Sequence, residues 1–342
     1  MTPADLSLTV LHAVRRAVGD GALRGLDGQL PERVVIERPR PGGCGDWATN
    51  AALQLARPAA MPPRQVAEVL RDRLLDAPGV QRVDITGPGF LNLTLHPEAR
   101  AQSSGGVVHA IRRHGVRYGY GDHLAHLGDI TFTAPRHVRA SVVTETVVAL
   151  LRSQGARARV GDGSEAVHVL PVPYDVHAAL GPDAARWALL RPAPHDRVQE
   201  PEALVRQTED NPFFTVRYAH SRARALLRNA ADLGFGPEGQ DAPEVHDAHQ
   251  VQADPDRTRL LAALADYPSA LTAAARLRAP DRLARHLEVV ADALLGFQHT
   301  VLPRGDEKPS AAHRSRLALA EAAGTVLAGG LSLLGISAPD HL

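Results

Sequence analysis

The chain is poor in several kinds of residue, and each shortage excludes a class of protein. Its 342 residues include a single cysteine, Cys44, which forms no internal disulfide and builds no zinc site without several histidine partners. Apolar residues make up 44%, yet no run of about 18 of them occurs, so no transmembrane helix is expected. The opening MTPADLSLTV lacks the basic and then apolar pattern of a signal peptide, so we expect a cytoplasmic protein.

Lysine and aromatic residues are also scarce. Lys308 is the only lysine, so 37 of the 38 basic residues are arginines, whose planar guanidinium suits phosphate and stacks on bases. A high-GC genome, which favours Arg and Ala codons, is sufficient to explain this bias. The net charge is 0 and aromatic residues are only 4%, so bulk composition predicts neither a nucleic-acid partner nor many stacking platforms.

Histidine is abundant, but its spacing predicts no metal site. The 17 histidines are scattered and form no HExxH or similar tight ligand spacing. Cys44 follows two glycines and lies near Asp46, whose charge disfavours a thiolate, so it is interpreted as an inert loop residue. No metal and no cofactor are predicted.

The first hundred residues predict a compact α+β unit. Leu6, Val10, Val14 and Val18 recur every four residues, which predicts a helix from an N-capping Thr2 to about Gly19. The other elements predicted in this unit are a strand at 33–39, helices at 47–56 and 63–75, and strands at 80–85 and 90–95.

Beyond residue 100 the pattern changes twice. Residues 101–127 contain Gly, His and Ser with little periodicity, which predicts a linker. Residues 128–192 alternate strand and helix, which favours a small α/β piece that is too short for a doubly wound nucleotide domain. The elements predicted there are a strand and helix within 130–151, strands at 157–160 and 167–172, and a helix at 182–190.

The remaining residues, 193–342, are helical in pattern and predict a helical bundle. The stretch DNPFFTVRYAHSRARALLRNA (210–230) carries an apolar stripe and, on another side, Arg217, Arg224 and Arg228 at i, i+7 and i+11. No acid occurs between Val216 and Ala231. Further helices are predicted at 256–277, 281–300 and 311–334, the last of them ended by Gly335.

Two stretches near the start resemble arginyl-tRNA synthetases. RPGGCGDWATNAALQLA (40–56) is similar to the family's Gly-Asp-aromatic-x-Thr-Asn segment. TGPGFLNLTL (86–95) is similar to its Gly-Pro-Gly-Phe-hydrophobic-Asn signature. Both segments belong to the family's N-terminal additional domain, which in that family contacts the elbow of tRNA.

Three further stretches extend the resemblance to the second half of the chain. LGPDAARWALL (180–190) resembles the Gly-x-Asp-Ala-x-Arg segment after which the family's anticodon-binding domain is named. DNPFFTVRYAHSRARALL (210–227) resembles its Asn-Pro…Tyr-Ala-His-x-Arg helix. The ending, 315–342, is similar to the closing helix and Leu-Leu-Gly-Ile tail, although Leu342 stands where the family usually has Met.

The resemblance implies a division of the chain into four parts. It assigns the N-terminal additional domain to 1–100, a linker to 101–127, a degenerate remnant of the class I catalytic domain to 128–192, and the anticodon-binding bundle to 193–342.

The catalytic motifs of that family are incomplete in this sequence. In the family an ITFTAP-like strand runs into His-x-Gly-His, whose histidines stabilise the ATP phosphates. Here His137 aligns with the second histidine, the first is missing, and Arg136 replaces the glycine that lets the backbone approach ATP. The region 167–186, where a Lys-Met-Ser-Lys-type loop is expected, contains no Lys. We therefore predict no catalytic residue, and His137 is interpreted as a surface or capping residue.

The candidate tRNA contacts come from one helix and one strand. Arginines contact phosphate or stack on unpaired bases, and the alternative is a solvated helix face paired to neighbouring acids. Phe90 is predicted to lie in the core, and Asp46, Thr49 and Asn50 to cap a helix. The candidate tRNA-binding residues are Arg217, Tyr218, His220, Arg222, Arg224, Arg228 and Asn92.

Together these patterns predict a non-catalytic protein that binds tRNA, with arginine tRNA as the first candidate. A pathway enzyme that receives the tRNA is a second expected partner, and neither DNA nor a membrane is expected. One alternative is a minimal or atypical arginine-tRNA ligase that uses ATP. Another is a protein-docking scaffold that keeps these folds but has lost RNA binding.

Overall fold

The computed structural model describes residues 3–25, 34–37, 39, 44–198, 200–237 and 254–342. The chain divides into two compact units, Met1–Val107 and Val108–Leu342. No helix within the described ranges is long and apolar enough to cross a membrane. The four-part division predicted from the resemblance stays a prediction, since contacts within the chain define two units.

The first unit is an α+β fold around one antiparallel sheet with the strand order β1-β2-β4-β3. Its elements are α1 (Pro3–Gly19), β1 (Ile36–Glu37), β2 (Trp47–Thr49), α2 (Ala51–Ala56), α3 (Pro63–Leu75), β3 (Val80–Thr86) and β4 (Phe90–Leu95). The next helix, α4 (Pro97–His114), begins in this unit and ends in the second.

The core of the first unit follows the predicted periodicities. Leu6, Val10 and Val14 on α1 are fully buried, because a spacing of four places them on one face of the helix. Leu91, Leu93 and Leu95 on β4 are buried as well, and β4 pairs with a strand on each side. The predicted helix at 63–75 and the two predicted strands after it are confirmed.

Three predictions in the first unit are corrected. The helix predicted at 47–56 begins only at Ala51, because Trp47–Thr49 pairs with β4 in the sheet. Phe90 is 37% exposed rather than part of the core. The strand predicted at 33–39 is reduced to Ile36–Glu37; Arg33, Arg38 and Arg40–Gly43 lie outside the described residues, as does the predicted cap Thr2.

The predicted linker also differs from the structure. Much of 101–127 belongs to α4, and short 3-10 turns follow at Gly115–Arg117 and Ala125–Leu127. Gly105 and Gly106 weaken the helical signal, yet the structure keeps them inside the helix. Tertiary packing explains the difference, since Ile111 on α4 is fully buried.

The second unit combines a small parallel sheet with a helical bundle. Its elements are β5 (Asp129–Thr133), α5 (Val138–Ser153), β6 (Arg157–Gly161), α6 (Val176–Leu190), α7 (Pro201–Leu204), α8 (Pro212–Asp232), α9 (Pro255–Arg276), α10 (Pro280–Phe297) and α11 (Ala311–Leu333). Strands β5 and β6 pair in parallel across α5, as expected for a βαβ unit. The fold class is thus the predicted one.

The strand predicted at 167–172 is wrong, and a buried arginine shows why. Arg139 is 0% exposed and lies on α5. Its guanidinium donates to the carbonyl oxygens of Leu170, Leu189, Pro192, Ala193 and Asp196. The amide of Leu170 donates to Pro194 O at 3.2 Å. This segment therefore bonds to the loop after α6 and not to the sheet.

The end of α11 positions the last residues of the chain. Gly335 adopts a φ of +69°, a left-handed conformation that glycine takes without a steric penalty. A Cβ atom at Gly335 would lie 2.5 Å from Nε of Arg186. Glycine is therefore required here both for the turn and for the close approach of Arg186.

Candidate nucleic-acid interface

Helix α8 carries most of the candidate residues. Asn211 caps it, since its Oδ1 accepts from the amides of Phe213 and Phe214, and Pro212 occupies the first helical position. One face of the helix is buried in the bundle. The residues on that face are Phe213, Val216, Ala219, His220, Ser221, Ala223, Leu226 and Ala230.

The last residues of the chain turn back over α8. We call residues Ile336–Leu342 the strap. The amide of Ser337 donates to Oδ1 of Asp183 at 3.2 Å, and its hydroxyl donates to Oδ2 of the same carboxylate. Asp340 O accepts from the hydroxyl of Ser221 at 3.2 Å. The strap is thus joined to α6 through Asp183 and to α8 through Ser221.

Two of the candidate arginines hold the far end of the strap. Arg224 donates from Nε to Oδ1 of Asp340 at 3.0 Å and from Nη2 to Oδ2 at 3.4 Å. Arg228 donates to Asp340 O at 3.3 Å. The hydrogen bond from Arg224 lowers the pKa of the Asp340 carboxyl. Both arginines are exposed in this arrangement, and 46% of the Arg224 side chain is accessible to solvent.

The other two arginines also have partners within the chain. Arg217 lies 3.6 Å from Oδ2 of Asp183, and its guanidinium carbon lies 5.2 Å from the ring centroid of Phe213. Nε of Arg222 donates to Oε1 of Gln298 at 2.6 Å. The alternative of a helix face paired to neighbouring groups therefore describes part of what the structure contains.

The two remaining residues predicted on α8 differ in exposure. Tyr218 is 39% exposed and stacks on Phe214 with 5.6 Å between ring centroids, so one face of a rigid aromatic pair is available. His220 is only 5% exposed, and its Nδ1 lies 3.1 Å from Pro339 O beneath the strap. Burial lowers the pKa of His220. His220 therefore lies under the strap, and its predicted contact with tRNA stays a prediction.

Asn92 is also buried. It lies on β4 at 4% exposure, and its Nδ2 donates to Oγ1 of Thr86 at 2.7 Å. This bond joins the two ends of the turn between β3 and β4. The predicted tRNA contact of Asn92 stays a prediction, and Phe90 is one of the exposed side chains at this turn.

The helix-capping predictions before α2 are met only in part. Oγ1 of Thr49 accepts from the amide of Ala51 at 3.3 Å. Asn50 occupies the cap position but makes no side-chain cap bond. Oδ2 of Asp46 accepts from the amide of Leu95 at 2.8 Å, so it serves β4 instead. Thr49 therefore organises the start of α2, and Asp46 organises the sheet of the first unit.

The Gly-x-Asp-Ala-x-Arg segment fastens the root of the strap. Arg186 donates from Nε to Leu334 O at 2.8 Å and lies 3.5 Å from Oε2 of Glu145 on α5. The carboxylate of Asp183 accepts a hydrogen bond from the amide of Ser337 and forms an ion pair with Arg217. Sequence reasoning missed Asp183, Ser337 and Asp340 as parts of this surface. The only signal in the sequence was an acidic residue near the end of the chain, Asp340, together with the lack of acidic residues between Val216 and Ala231.

At the start of α5 the structure shows a self-capped helix. Nδ1 of His137 accepts from the amide of Ala140 at 3.3 Å, while Arg136 is exposed. This is the capping role expected of His137, and the imidazole is turned to its own helix. Among the described residues, no group of three or more His, Cys, Asp or Glu side chains is placed to hold a metal ion.

Comparisons with known proteins match both ends of the chain. Residues 8–95 match the arginyl tRNA synthetase N terminal domain, and residues 216–342 match the DALR anticodon binding domain. The arginine–tRNA ligases of Frankia alni and Renibacterium salmoninarum are each 26% identical over 560 residues, with 100% of both chains covered. Those alignments exceed the 342 residues of this chain by 218 positions.

Solved structures agree in fold. The arginyl-tRNA synthetase of Thermus thermophilus has a TM-score of 0.65 at 13% identity, and that of Plasmodium falciparum 0.64 at 6% identity; each comparison covers 100% of both chains. The fold and the two matched domains define the class of this protein, which contains domains of tRNA synthetases. The chain belongs to the arginyl-tRNA synthetase-related proteins.

Proposed function

We propose that this chain is a non-catalytic, tRNA-binding member of that family, a pseudoenzyme, with arginine tRNA as its first candidate ligand. The two domains that match are those named for the N-terminus and for anticodon binding. In the proposal the protein presents, sequesters or senses tRNA for a pathway enzyme in the cytoplasm.

The observation that carries the proposal is the density of arginines beside an exposed aromatic ring on α8. Arg222, Arg224 and Arg228 place three guanidinium groups within two turns, and the helix has no acid between Val216 and Ala231. Tyr218 adds an exposed ring on the same helix, backed by Phe214. Guanidinium groups beside a rigid aromatic ring are the chemistry that binds phosphates and unpaired bases.

Loss of catalysis is the second part of the proposal. Phosphoryl chemistry on ATP needs preorganised donors directed at the phosphates. At the strand-to-helix joint His137 caps its own helix, and the first histidine and the glycine of the family motif are absent from the sequence. The catalytic constellation is therefore incomplete. The alternative of an atypical ligase predicts arginine-dependent pyrophosphate exchange, and we expect none from the purified protein.

A docking scaffold is the second candidate function, and one observation favours it. Arg217, Arg222 and Arg224 already have partners in Asp183, Gln298 and Asp340. When the arginines of a helix already pair with groups of the same chain, the helix attracts a polyanion such as RNA less strongly. In that case α8 would serve the fold and a protein partner, and RNA affinity would be absent.

A binding titration separates these functions. The purified chain is titrated with arginine tRNA, a second tRNA and a non-tRNA duplex over a salt series. We expect preference for arginine tRNA and an affinity that falls steeply with salt, because phosphate contacts release counterions. Absence of binding to any of them at low salt would contradict tRNA binding and favour the scaffold.

A variant pair assigns the binding to α8. Arg222→Gln removes one guanidinium from α8, and Arg157→Gln removes the same charge from an exposed position on β6. We expect Arg222→Gln alone to weaken tRNA binding and to lower the salt slope by about 0.7 to 0.9, the value of one phosphate contact. Equal effects of both variants would mean that net charge, and not α8, sets the affinity.

A further inference from the structure

We propose that the strap is an intramolecular competitor of RNA. In this arrangement Asp340 occupies the guanidinium of Arg224 with its carboxylate and that of Arg228 with its main-chain oxygen, so the strap and an RNA backbone exclude each other there. The inference rests on the proposed tRNA binding and adds a regulatory element to the same surface.

The geometry of Asp340 supports this competition. Both of its carboxylate oxygens face Arg224, at 3.0 and 3.4 Å from two different guanidinium nitrogens. A phosphate presents the same pair of oxygens to the same fork of donors. Arg228 is bound at the same point through Asp340 O. One residue of the strap thus occupies two of the cations that the proposed function requires.

The strap has a fastened root and an exposed end. At the root, Leu334 O accepts from Arg186, and Ser337 donates to Asp183 through its amide and its hydroxyl. At the other end, residues 340–342 are exposed. The end can lift while the root stays attached. Because the attachment keeps Asp340 near Arg224, its effective concentration is high, on the order of millimolar for a short tether.

The contacts at the end of the strap are also weak enough to be displaced. The side chains of Arg224 and Asp340 are 46% and 52% exposed, and exposed ion pairs contribute little because water and salt screen them. An RNA phosphate therefore replaces Asp340 at modest cost. Because the closed strap blocks this site, the apparent RNA affinity equals the affinity of the open site multiplied by the fraction of molecules in which the site is open.

The two ends of α8 are expected to behave differently. Arg217 is held by Asp183, Ser337 and the ring of Phe213 at the root of the strap, so lifting the end does not release it. Arg224 and Arg228 are released. The competition therefore concerns the C-terminal half of α8, while Tyr218 is exposed and Arg222 keeps its bond to Gln298 in both states.

The test removes the charge of Asp340 without removing the strap. Asp340→Asn keeps the backbone bonds to Ser221 and Arg228 and avoids uncovering His220. The matched control is Asp232→Asn, which removes an exposed carboxylate at the end of the same helix and changes the net charge equally. The full-length wild type and both variants are titrated with arginine tRNA at two salt concentrations, and thermal unfolding verifies that each is folded.

We expect Asp340→Asn to bind arginine tRNA about two- to fivefold more tightly than wild type. This range corresponds to the free energy of one exposed ion pair, which the RNA no longer has to break. Asp232→Asn is expected to show a smaller gain. If Asp340→Asn binds no better than Asp232→Asn, or more weakly than wild type, the competition is refuted while tRNA binding stands. If neither variant nor the wild type binds RNA, the proposed function and the competition both fail.

A second measurement reports on the strap directly. Hydrogen exchange of the amides in 338–342 is followed by mass spectrometry with and without arginine tRNA at saturation. Competition predicts faster exchange in this segment when tRNA is bound, because the RNA lifts it from α8. Slower exchange on binding would overturn the proposal, since it would make the strap part of the RNA-binding surface.

Discussion

The start of α5 and the arginine-bearing side of α8 differ in how their polar groups are satisfied. At α5, His137 caps its own helix and Arg139 is buried against five carbonyl oxygens. On α8, Arg224 and Arg228 meet an exposed strap. Polar groups of the first region hold the fold together, and those of the second remain exchangeable with solvent.

The largest expected effect concerns the buried arginine. Arg139→Met leaves five carbonyl oxygens without their donor. We expect the free energy of unfolding to fall by about 3 to 5 kcal/mol, as for other removals of a buried charged partner. Chemical denaturation measures it. Arg136→Met, at an exposed position three residues earlier, should change it by less than about 0.5 kcal/mol; equal effects would refute a structural role for Arg139.

A smaller loss of stability is expected at the root of the strap. Gly335→Ala forces a left-handed φ on alanine and places its Cβ 2.5 Å from Nε of Arg186. We expect a loss of about 1 to 3 kcal/mol and faster hydrogen exchange in the strap. Gly305→Ala is the control, because Gly305 has a φ of +55° and nothing within 4 Å of an added Cβ. Identical losses would mean that the contact with Arg186 contributes nothing.

The exposed aromatic pair on α8 gives a test of binding. Tyr218→Ala removes a 39% exposed ring that is stacked on Phe214. If it stacks on a base, tRNA affinity falls by about 1 to 3 kcal/mol, measured by titration. Tyr120→Ala is the matched control, since Tyr120 is 37% exposed elsewhere in the same unit. A loss that is no larger than the control's would leave α8 as a phosphate contact only.

The smallest effect is a pH dependence of stability in the second unit. Burial lowers the pKa of His220 and of His286 below the ordinary value of 6.5. The unfolded chain therefore binds more protons than the folded one as the pH falls below 6.5, and stability decreases in that direction. The loss is about 1.4 kcal/mol for each unit of pKa difference.

Thermal unfolding between pH 7 and pH 5 measures this dependence. His286→Gln should reduce the slope of the free energy of unfolding against pH, because it removes one of the two buried imidazoles. A slope that is the same in the wild type and in His286→Gln would exclude His286 as its source.

Much of the fold could be predicted where local signals agreed with packing. Helix α3 begins at a proline and β3 and β4 flank a turn of glycines and proline, so their limits are nearly those predicted. Prediction failed where the local pattern was ambiguous. Trp47–Thr49 has a helical context but completes a sheet with β4, and the segment at 167–172 alternates like a strand but bonds to Arg139 and Pro194.

The candidate site was predicted in composition but not in arrangement. The row of arginines on α8 follows from helical spacing. The positions of Asn92 and His220 do not, because their burial depends on Thr86 and on the strap, which lie 6 and 119 positions away along the chain. Spacing on one helix says which residues share a face; it does not say what covers that face.

The sequence by itself determined the kinds of secondary structure, the family resemblance at both ends, the incomplete catalytic motifs and the arginine row of α8, because each depends on residue identity and short-range periodicity. Only the tertiary structure decided that Phe90 is exposed, that Asp183 and Arg186 fasten the strap, and that Asp340 pairs with Arg224. Contacts between residues more than a hundred positions apart depend on how helices pack, and packing is set by the whole core.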